Sequence, residues 1–559
     1  MLDTHARTRR VVAVAVLIAL ATVACGSKKD PPDAAGGGSG GGAGEASVVV
    51  DDVSVEPEGD PVRGGTIVFG LSGETGGNWN PTAGQWVGSS YIIAATFYDF
   101  LMAYGEDDEV EPYLAESMTS NDDFTLWTIT LRPGVTFHDG SPLDAEALKV
   151  NLDAQRTSPL IGPVMRTVSD IRIIDDLIIE VEMSQPWSTF PHLLTAQPGA
   201  VAAPSVFASD QGGRNPVGTG PFEFVSWEPD NNLVVERSDD YWQEGLPYLD
   251  GVEFRVAADE TTRAAGFEQG QFDIIQTSDP GQIIALGETA ANGENQIFVD
   301  DEGEGNETFV VFNTAKPPFD DVLAREAVIT AVDTDAVAET VYDGLYTPAR
   351  GIFRPGSPWY VETDYPTYDP ERAQELADEY EAKYGEPLTF DVNILPTPEI
   401  TKVAEQITTQ LGEVGIEATP KTLEQTRLVL DAVTGNFEST GFILFGSRHP
   451  DRDYVFNHGS TTAAAPGAFG LNFSGMVDEE KDAAMDAARA TDDRDEQIAQ
   501  YRIVQERMAE TLAFGFLVHN VDALVYQNDV FGLIEQTLPD GAPSPATTTP
   551  RLSGVWLGE

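Results

Sequence analysis

Apolar and polar residues alternate along several short stretches of this chain, the pattern that a half-buried β-strand gives. These stretches are residues 64–71, 126–131, 171–183, 222–225, 232–237 and 252–256. Gly64 and Gly65 open the first, and clusters of Gly, Pro, Asn and Asp separate several of the others. The pattern therefore predicts short strands joined by tight turns.

Other stretches carry apolar residues at helical spacing, three or four positions apart. They are residues 91–104, 145–155, 261–269, 320–342, 370–384, 399–414, 478–489 and 495–510. Asp478 and the pair Asp369-Pro370 are typical helix starts, because aspartate caps a first turn and proline fits the first helical position. Strands and helices mixed in this way predict α/β lobes with some antiparallel hairpins.

The N-terminal residues show a different pattern. Three arginines precede an unbroken apolar run over residues 11–20, and small residues then lead to Cys25, the only cysteine of the chain. This order is that of a secretory signal, and its cysteine makes it similar to the bacterial lipoprotein signal. Residues 1–24 are thus predicted to be a lipoprotein signal peptide, with Cys25 as the lipidated residue. The alternative is an uncleaved N-terminal anchor around a buried cysteine.

Residues 25–62 are rich in glycine and then in acidic residues, a composition that gives flexible and extended coil. We therefore predict a lipidated Cys25 followed by a disordered linker over these residues. No later stretch is long and apolar enough to cross a bilayer. We expect an exported protein, lipid-anchored to the outer face of the cytoplasmic membrane, on its periplasmic or extracellular side.

The charge of the chain limits its partners. Asp and Glu number 92 against 32 Lys and Arg, a formal net charge of −60. Such a field repels phosphate backbones and anionic lipid, so we expect no nucleic-acid partner and membrane contact only through the lipid anchor.

The sequence gives little support for an enzymatic function. With Cys25 lipidated, no thiol remains for a disulfide, a zinc ligand or a nucleophile. The chain contains no HExxH, GxSxG or GxxxxGK[ST] motif, and we predict no catalytic residue, metal site or cofactor. His449, Asp451, Asp453 and His458 could in principle hold a metal, but a solvated polar loop is the simpler interpretation. A secreted hydrolase remains a distant alternative.

A long motif, WTITLRPGVTFHDGSPLDA, occupies residues 127–145. Shorter ones are NPVGTGPF at 215–222, DYW at 240–242, PPFDD at 317–321 and NFSG at 472–475. Together they resemble the extracytoplasmic solute-binding proteins of peptide and nickel type, family 5, which feed ABC importers. The resemblance covers residues 63–556.

The resemblance implies an α/β protein with the class II fold of periplasmic binding proteins: two hinged lobes plus an extra domain, and a ligand in the cleft between the lobes. By that pattern lobe I comprises residues 63–98, 204–305 and 521–559, the extra domain residues 99–203, and lobe II residues 306–520. The implied function is that of a monomeric substrate-binding lipoprotein that captures a peptide or peptide-like solute and delivers it to the permease. An opine, a sugar or a nickel complex is the alternative cargo.

Two loops are candidates for ligand contact. The loop after the first strand carries Glu74, Asn78 and Trp79, which by the resemblance reach into the cleft from lobe I, although Trp79 could equally cover the core. Trp359 and Tyr360 form an aromatic pair in a second loop. Such a pair suits stacking on a ligand, and packing against the neighbouring helix is the alternative.

A third segment runs from Phe442 to Asp453 and includes Phe445. It resembles the place in the family where a strand ends in the cleft and an acidic residue pairs with the ammonium group of a peptide. Here Ser447 or Arg448 stands near that position, and Asp451 and Asp453 follow. A guanidinium there favours a carboxylate or another anionic group. The alternative is that Arg448 pairs with Asp451 or Asp453 and shapes the loop.

Overall fold

The computed structural model describes residues 48–558, apart from residues 76, 87, 160, 210, 302–305, 445–447, 464 and 466. The predicted signal peptide (1–24), Cys25, the linker as far as residue 47 and Phe445 lie outside the described residues.

Within this part of the chain, lobe I is built on a seven-stranded sheet. Its strands, in spatial order, are Gln296–Asp300, Asp522–Tyr526, Ile274–Thr277, Thr66–Leu71, Gly251–Val256, Asn232–Arg237 and Phe222–Glu228. Thr66–Leu71 runs parallel to both of its neighbours. Asp522–Tyr526 runs antiparallel to both of its own. The C-terminal part of the chain thus returns to complete this sheet.

Lobe II is built on a six-stranded sheet among the described residues. Its strands, in spatial order, are Thr347–Pro348, Phe514–His519, Glu307–Phe312, Ser439–Leu444, Thr389–Ile394 and Glu417–Thr422. Every residue of Phe514–His519 is buried, because the strand lies inside the sheet and is covered on both faces. Such double burial is typical of an α/β layer with helices on either side.

The extra domain contains a four-stranded antiparallel sheet in the part of the chain described. Its strands, in spatial order, are Ala115–Ser120, Leu126–Leu131, Ile178–Met183 and Val168–Asp175. Leu126–Leu131 and Ile178–Met183 alternate buried and half-buried residues, as a sheet with one covered face requires. Short pairs join Met102–Tyr104 to Val110–Pro112, Val530–Phe531 to Trp556–Leu557, and Gln536–Thr537 to Pro543–Ser544.

Helices cover the sheets. In chain order they are Gly88–Phe97, Ala145–Thr157, Phe190–Leu193, Pro204–Phe207, Glu260–Glu268, Pro280–Ala291, Val322–Thr330, Thr334–Val341, Pro370–Tyr384, Pro398–Glu413, Gln425–Val433, Tyr454–Asn457, Glu479–Arg489 and Arg494–Thr511. Asp369 and Asp478 cap their helices through side-chain oxygens, as predicted.

Two predicted helices differ from the observed ones. The helix expected over residues 91–104 ends at Phe97. There the chain meets Gly218 and Gly220, and a Cβ at Gly218 would collide with the Phe97 carbonyl oxygen. The helix expected over residues 320–342 is divided, because Asp333 accepts a hydrogen bond from the backbone of Ala336 and so starts a new helix.

Within the described residues, the lobes meet at Asn306, which precedes the strand Glu307–Phe312, and at residues 519–522. They are tied to each other: the Asn520 amide donates to the Asn306 carbonyl oxygen at 2.7 Å, and Asn306 Nδ2 donates to Asp522 Oδ2 at 2.7 Å. Paired crossings of this kind are natural hinges, because a few residues at the ends of strands can absorb a rotation of the lobes.

The end of the predicted linker is ordered against the body. Val53 exchanges backbone hydrogen bonds with Ile297 at the edge of the lobe I sheet, and the Val48 amide donates to the carbonyl oxygen of Gly344 in lobe II. Valines recur at positions 48, 50, 53 and 55, and this spacing lets the segment add to a sheet edge despite its acidic neighbours.

Candidate functional site

A cavity of about 310 Å³ lies where the two lobes and the extra domain meet. Lobe I contributes the start of the helix Gly88–Phe97 and residues 544–551 near the C-terminus. The extra domain contributes residues 102–104 and 192–198, and lobe II contributes residues 448–456. Because both sides of the hinge enclose it, this cavity is the interlobe cleft.

Aromatic and aliphatic side chains form much of its wall. They include Tyr91, Phe100, Met102, Tyr104, Tyr113, Ile161, Val164, Leu193, Val455 and Phe456. Polar and charged side chains line the same space, Gln276 and Asn306 among them. Apolar surface combined with polar groups that can orient a ligand is typical of a site for a small molecule.

Arg448 crosses the cleft. Its Nη1 donates to Asp108 Oδ1 of the extra domain at 2.8 Å, and its Nη2 donates to the carbonyl oxygen of Ala546 at 2.6 Å. The guanidinium therefore joins lobe II to the extra domain and to the C-terminal part of lobe I. These partners differ from the aspartates of its own loop, which the sequence suggested as an alternative.

Asp451 lines the cavity and is held from two sides. Arg489 donates to it through Nε at 2.5 Å and Nη2 at 3.1 Å, and Trp187 Nε1 donates at 3.0 Å. The Arg489 guanidinium also lies 3.4 Å from the centre of the Tyr454 ring. Both members of the ion pair are buried, so this carboxylate and guanidinium form a fixed part of the wall.

Two histidines face each other at the cavity. The rings of His192, from the extra domain, and His449, from lobe II, have centroids 4.0 Å apart. Burial lowers the pKa of His449 to about 3. Burial and the neighbouring His449 place the pKa of His192 well below its ordinary value. Both imidazoles are therefore neutral at physiological pH.

Trp359 supports this wall from behind. Its ring packs edge-on against His449 at 4.9 Å and against Tyr501 at 5.7 Å, and its Nε1 donates to the Arg448 carbonyl oxygen at 3.3 Å. Trp359 is buried, whereas the adjacent Tyr360 is 39 % exposed. The sequence left stacking on a ligand and packing on a helix open, and the contact with Tyr501 is a helix contact.

Asp453 lies at the end of the same loop, outside the cavity wall. Burial, with a smaller contribution from the charge of Asp451, raises the pKa of Asp453 to about 7 against the lowering influence of Arg452. The backbone carbonyl of Asp453 accepts a hydrogen bond from Asn457 Nδ2 at 3.1 Å.

The loop after the first strand turns away from the cavity. Glu74 accepts hydrogen bonds from Trp227 Nε1 at 2.8 Å and from the Asp230 amide at 2.7 Å. Trp79 is fully buried against Phe97 and Trp227. Asn78 Oδ1 accepts from the backbone amide of Asn80 at 2.9 Å. These three side chains hold the loop, and none of them belongs to the cavity wall as described.

Sequence reasoning missed His192, Tyr91 and the C-terminal segment at residues 544–551. No local motif marks them. The only available signal was the scarcity of basic residues, since an arginine such as Arg551 stands out among threonines and prolines in so acidic a chain.

The described residues contain no group of three or more histidine, cysteine, aspartate or glutamate side chains placed to hold a metal ion. None of the helices in the described part of the chain is long and apolar enough to span a membrane.

The chain is similar to known binding proteins. Residues 109–466, more than half of the chain, match the sequence profile of the bacterial extracellular solute-binding proteins, family 5 Middle. The glutathione-binding protein GsiB of Salmonella paratyphi A is 31% identical over 340 residues, which make up 59% of this chain and 64% of that protein. The match thus spans less than two thirds of that relative's length.

Two solved structures have the same fold. DppA from Helicobacter pylori in complex with the peptide STSA has a TM-score of 0.77 at 23% identity, and 89% of this chain covers 99% of it. AgaA from A. tumefacien R10 in complex with agropinic acid has a TM-score of 0.76 at 24% identity, with the same coverage. The predicted class II fold with two lobes is confirmed. Because the profile match covers more than half of its residues, the chain belongs to the bacterial extracellular solute-binding proteins of family 5.

Proposed function

We propose that this protein captures a small extracellular solute in the interlobe cavity and delivers it to the permease of an ABC importer. The observation that carries the proposal is the cavity, whose walls come from both lobes and the extra domain. A solute bound there stabilises the closed arrangement, because it contacts groups that separate when the hinge opens. The closed shape is then the form that the permease recognises.

The proposed solute is a peptide or a peptide-like molecule. Relatives are named for glutathione and for a bound peptide. A cavity of about 310 Å³ lies at the small end of ordinary ligand sites, which favours a short molecule over a long extended peptide. An opine is the second candidate, since AgaA holds agropinic acid; a sugar or a nickel complex is less favoured.

We propose that the protein binds its solute without changing it. In the cavity wall as described, both histidines are neutral and Asp451 is engaged by Arg489. A general acid or base needs a titratable group that can reach a substrate proton at physiological pH. A secreted hydrolase would require such a group elsewhere, and recovery of an altered solute would indicate it.

For the cellular setting, we propose a monomer held on the outer face of the cytoplasmic membrane by lipidated Cys25, after removal of residues 1–24. The proposal rests on the order of charged, apolar and small residues before Cys25. Residues 25–47 would then give the body freedom to reorient.

We propose the domain division given by the sequence, and the order of strands in the larger sheets supports it. The seven-stranded sheet takes its strands from 63–98, 204–305 and 521–559, the six-stranded sheet from 306–520, and the four-stranded sheet from 99–203. Of the residues nominated as ligand contacts, we retain Arg448 and Asp451 in the proposed site because both line the cavity. Trp359 would act indirectly, by holding the backbone of Arg448.

The decisive experiment is mass spectrometry of the solute that co-purifies with the protein, followed by calorimetry with the identified molecule. Small-angle scattering should show compaction when that molecule is added. Recovery of a chemically changed molecule, or the absence of any compaction at saturation, would refute the proposed capture by lobe closure.

A further inference from the structure

Basic residues outnumber acidic ones around the interlobe cavity, whereas acidic residues outnumber basic ones in the whole chain. The chain has 92 acidic and 32 basic residues. The cavity wall, within the described residues, has four arginines, two aspartates, and neither lysine nor glutamate: Arg448, Arg452, Arg489, Arg551, Asp451 and Asp522.

The aspartates of the wall are already engaged. Asp451 accepts two hydrogen bonds from Arg489, and Asp522 accepts one from Asn306 at 2.7 Å. Asp451, held by three donors, therefore offers little to an ammonium group of a solute, which would need a carboxylate with free oxygens.

Arg551 has fewer partners than Asp451 has. Its Nη2 donates to Ser544 Oγ at 2.9 Å, and its guanidinium lies over the ring of Tyr113 at 4.8 Å. No carboxylate of the described residues forms an ion pair with it. A guanidinium carries five N–H donors in a planar fork, so Ser544 leaves donors for another acceptor.

Asp99 is a carboxyl group behind the cavity wall whose pKa is lowered by the charge of Arg551. Its own oxygens accept hydrogen bonds from Thr219, Tyr241 and Trp242. Burial raises the pKa of Asp99 to about 7, although these hydrogen bonds and the charge of Arg551 lower it. Because its oxygens accept from these three donors and it forms no ion pair with Arg551 among the described residues, Asp99 does not occupy the fork of Arg551.

We infer that Arg551 receives a carboxylate of the transported solute, and that the site selects solutes with more carboxylates than ammonium groups. The inference rests on the proposed solute-binding function and names the chemistry of its ligand. A planar guanidinium binds a carboxylate through two parallel hydrogen bonds. Thr547 and Thr549 also line the cavity, and their hydroxyls lie 3.2 Å apart in a hydrogen bond that leaves one hydroxyl proton for another acceptor.

The test uses two pairs of probes whose carboxylates are free or blocked: glutathione with its diethyl ester, which also adds two ethyl groups, and trialanine with its C-terminal amide, which is nearly the same size. Calorimetry on the full-length protein in detergent measures each dissociation constant. We expect the free acids to bind at least tenfold more tightly than their blocked forms. In Arg551→Gln that preference should fall below about threefold, since the ligand carboxylate and Arg551 are then no longer coupled. Arg551→Lys should give an intermediate preference, because lysine keeps the charge and loses the fork.

Arg132 provides the matched control. Its Nε donates to the Tyr113 carbonyl oxygen at 2.7 Å and its guanidinium lies over Trp242 at 5.1 Å, yet it does not line the cavity as described. Arg132→Gln removes the same charge and a similar stacking contact close by. It should leave the preference for free acids unchanged, which separates direct contact from a general loss of positive charge.

The outcomes are distinct. If free and blocked probes bind the wild-type protein equally, solute binding stands and the inference about Arg551 is overturned. The inference is also overturned if Arg551→Gln weakens the binding of both members of each pair equally. It is overturned as well if Arg132→Gln lowers the preference for free acids as much as Arg551→Gln does. If none of the four probes binds, the proposed peptide-like solute is refuted, and the inference about Arg551 is refuted as well. Thermal unfolding of each variant identifies any that fail to fold, in which case Arg551→Lys decides.

Discussion

The ion pair between Arg448 and Asp108 joins lobe II to the extra domain across the cleft, and breaking it should weaken solute binding. The joined atoms are 2.8 Å apart, and the side chains are 10% and 28% exposed. A hydrogen bond between charged groups contributes about 1.5–3 kcal/mol to stability. Because Asp108 is partly solvated, we take the lower end, about 1.5 kcal/mol. That free energy favours closure, so its loss should raise the dissociation constant about tenfold.

Asp108→Asn, Arg448→Ala and the double variant form a thermodynamic cycle, with calorimetry on the co-purified solute as the assay. If the pair acts as a latch, the double variant should bind about as weakly as Arg448→Ala alone, because the second change removes nothing further. Scattering without solute should show a larger open fraction in all three. Arg172→Gln, which breaks an exposed ion pair with Glu180 inside one sheet, should change neither quantity.

An affinity change below threefold in both single variants, with unchanged scattering, would refute the prediction that this ion pair stabilises the closed cleft. A different result would separate the two roles proposed for Arg448. If Arg448 contacts the solute directly, Arg448→Ala should cost far more than Asp108→Asn. The two changes would then add in the double variant.

Three further predictions follow from the same contacts. Burial lowers the pKa values of His192 and His449, whose rings face each other from the extra domain and lobe II. We expect opening to expose both rings, so that protons favour the open form below about pH 6.5. The dissociation constant measured by calorimetry should then rise by up to about tenfold per histidine at pH 5.5, less steeply in His192→Phe, and a flat profile would contradict this. Arg489→Leu leaves Asp451 buried without its partner and should destabilise the protein by about 3–5 kcal/mol; an unchanged melting temperature would show that the pair is not structural. Cys25→Ser should release the protein from membranes into the medium, and failure of labelled palmitate to enter the wild-type protein would refute the anchor.

The sequence predicts best those elements whose signals are local. The helix Pro370–Tyr384 has the bounds predicted for it, because an aspartate cap, a proline at the first position and apolar spacing all lie within its own residues. The strand Leu126–Leu131 is likewise exact in its limits, since alternation alone defines it. The divided helix around Asp333 was missed because a capping aspartate inside an apolar pattern looks like an ordinary polar position.

The cavity could not be predicted in the same way, because it is assembled from segments far apart in the chain. Arg448 meets the carbonyl of Ala546, and His192 meets His449. No spacing rule connects such residues. The family resemblance located the loop around Arg448, and only the fold shows which other segments join it.

The acidity of the chain and the basic balance of its cavity are compatible because they act over different distances. At physiological ionic strength, charges more than about 8 Å apart at a surface are largely screened. The acidic coat therefore governs solubility and the exclusion of polyanions, while groups that contact the solute govern its selection. Inside a partly desolvated cleft, one guanidinium such as Arg551 outweighs many distant carboxylates. The net charge of −60 is thus a guide to what this protein avoids, and the charge of its ligand has to be inferred from the wall of the cleft.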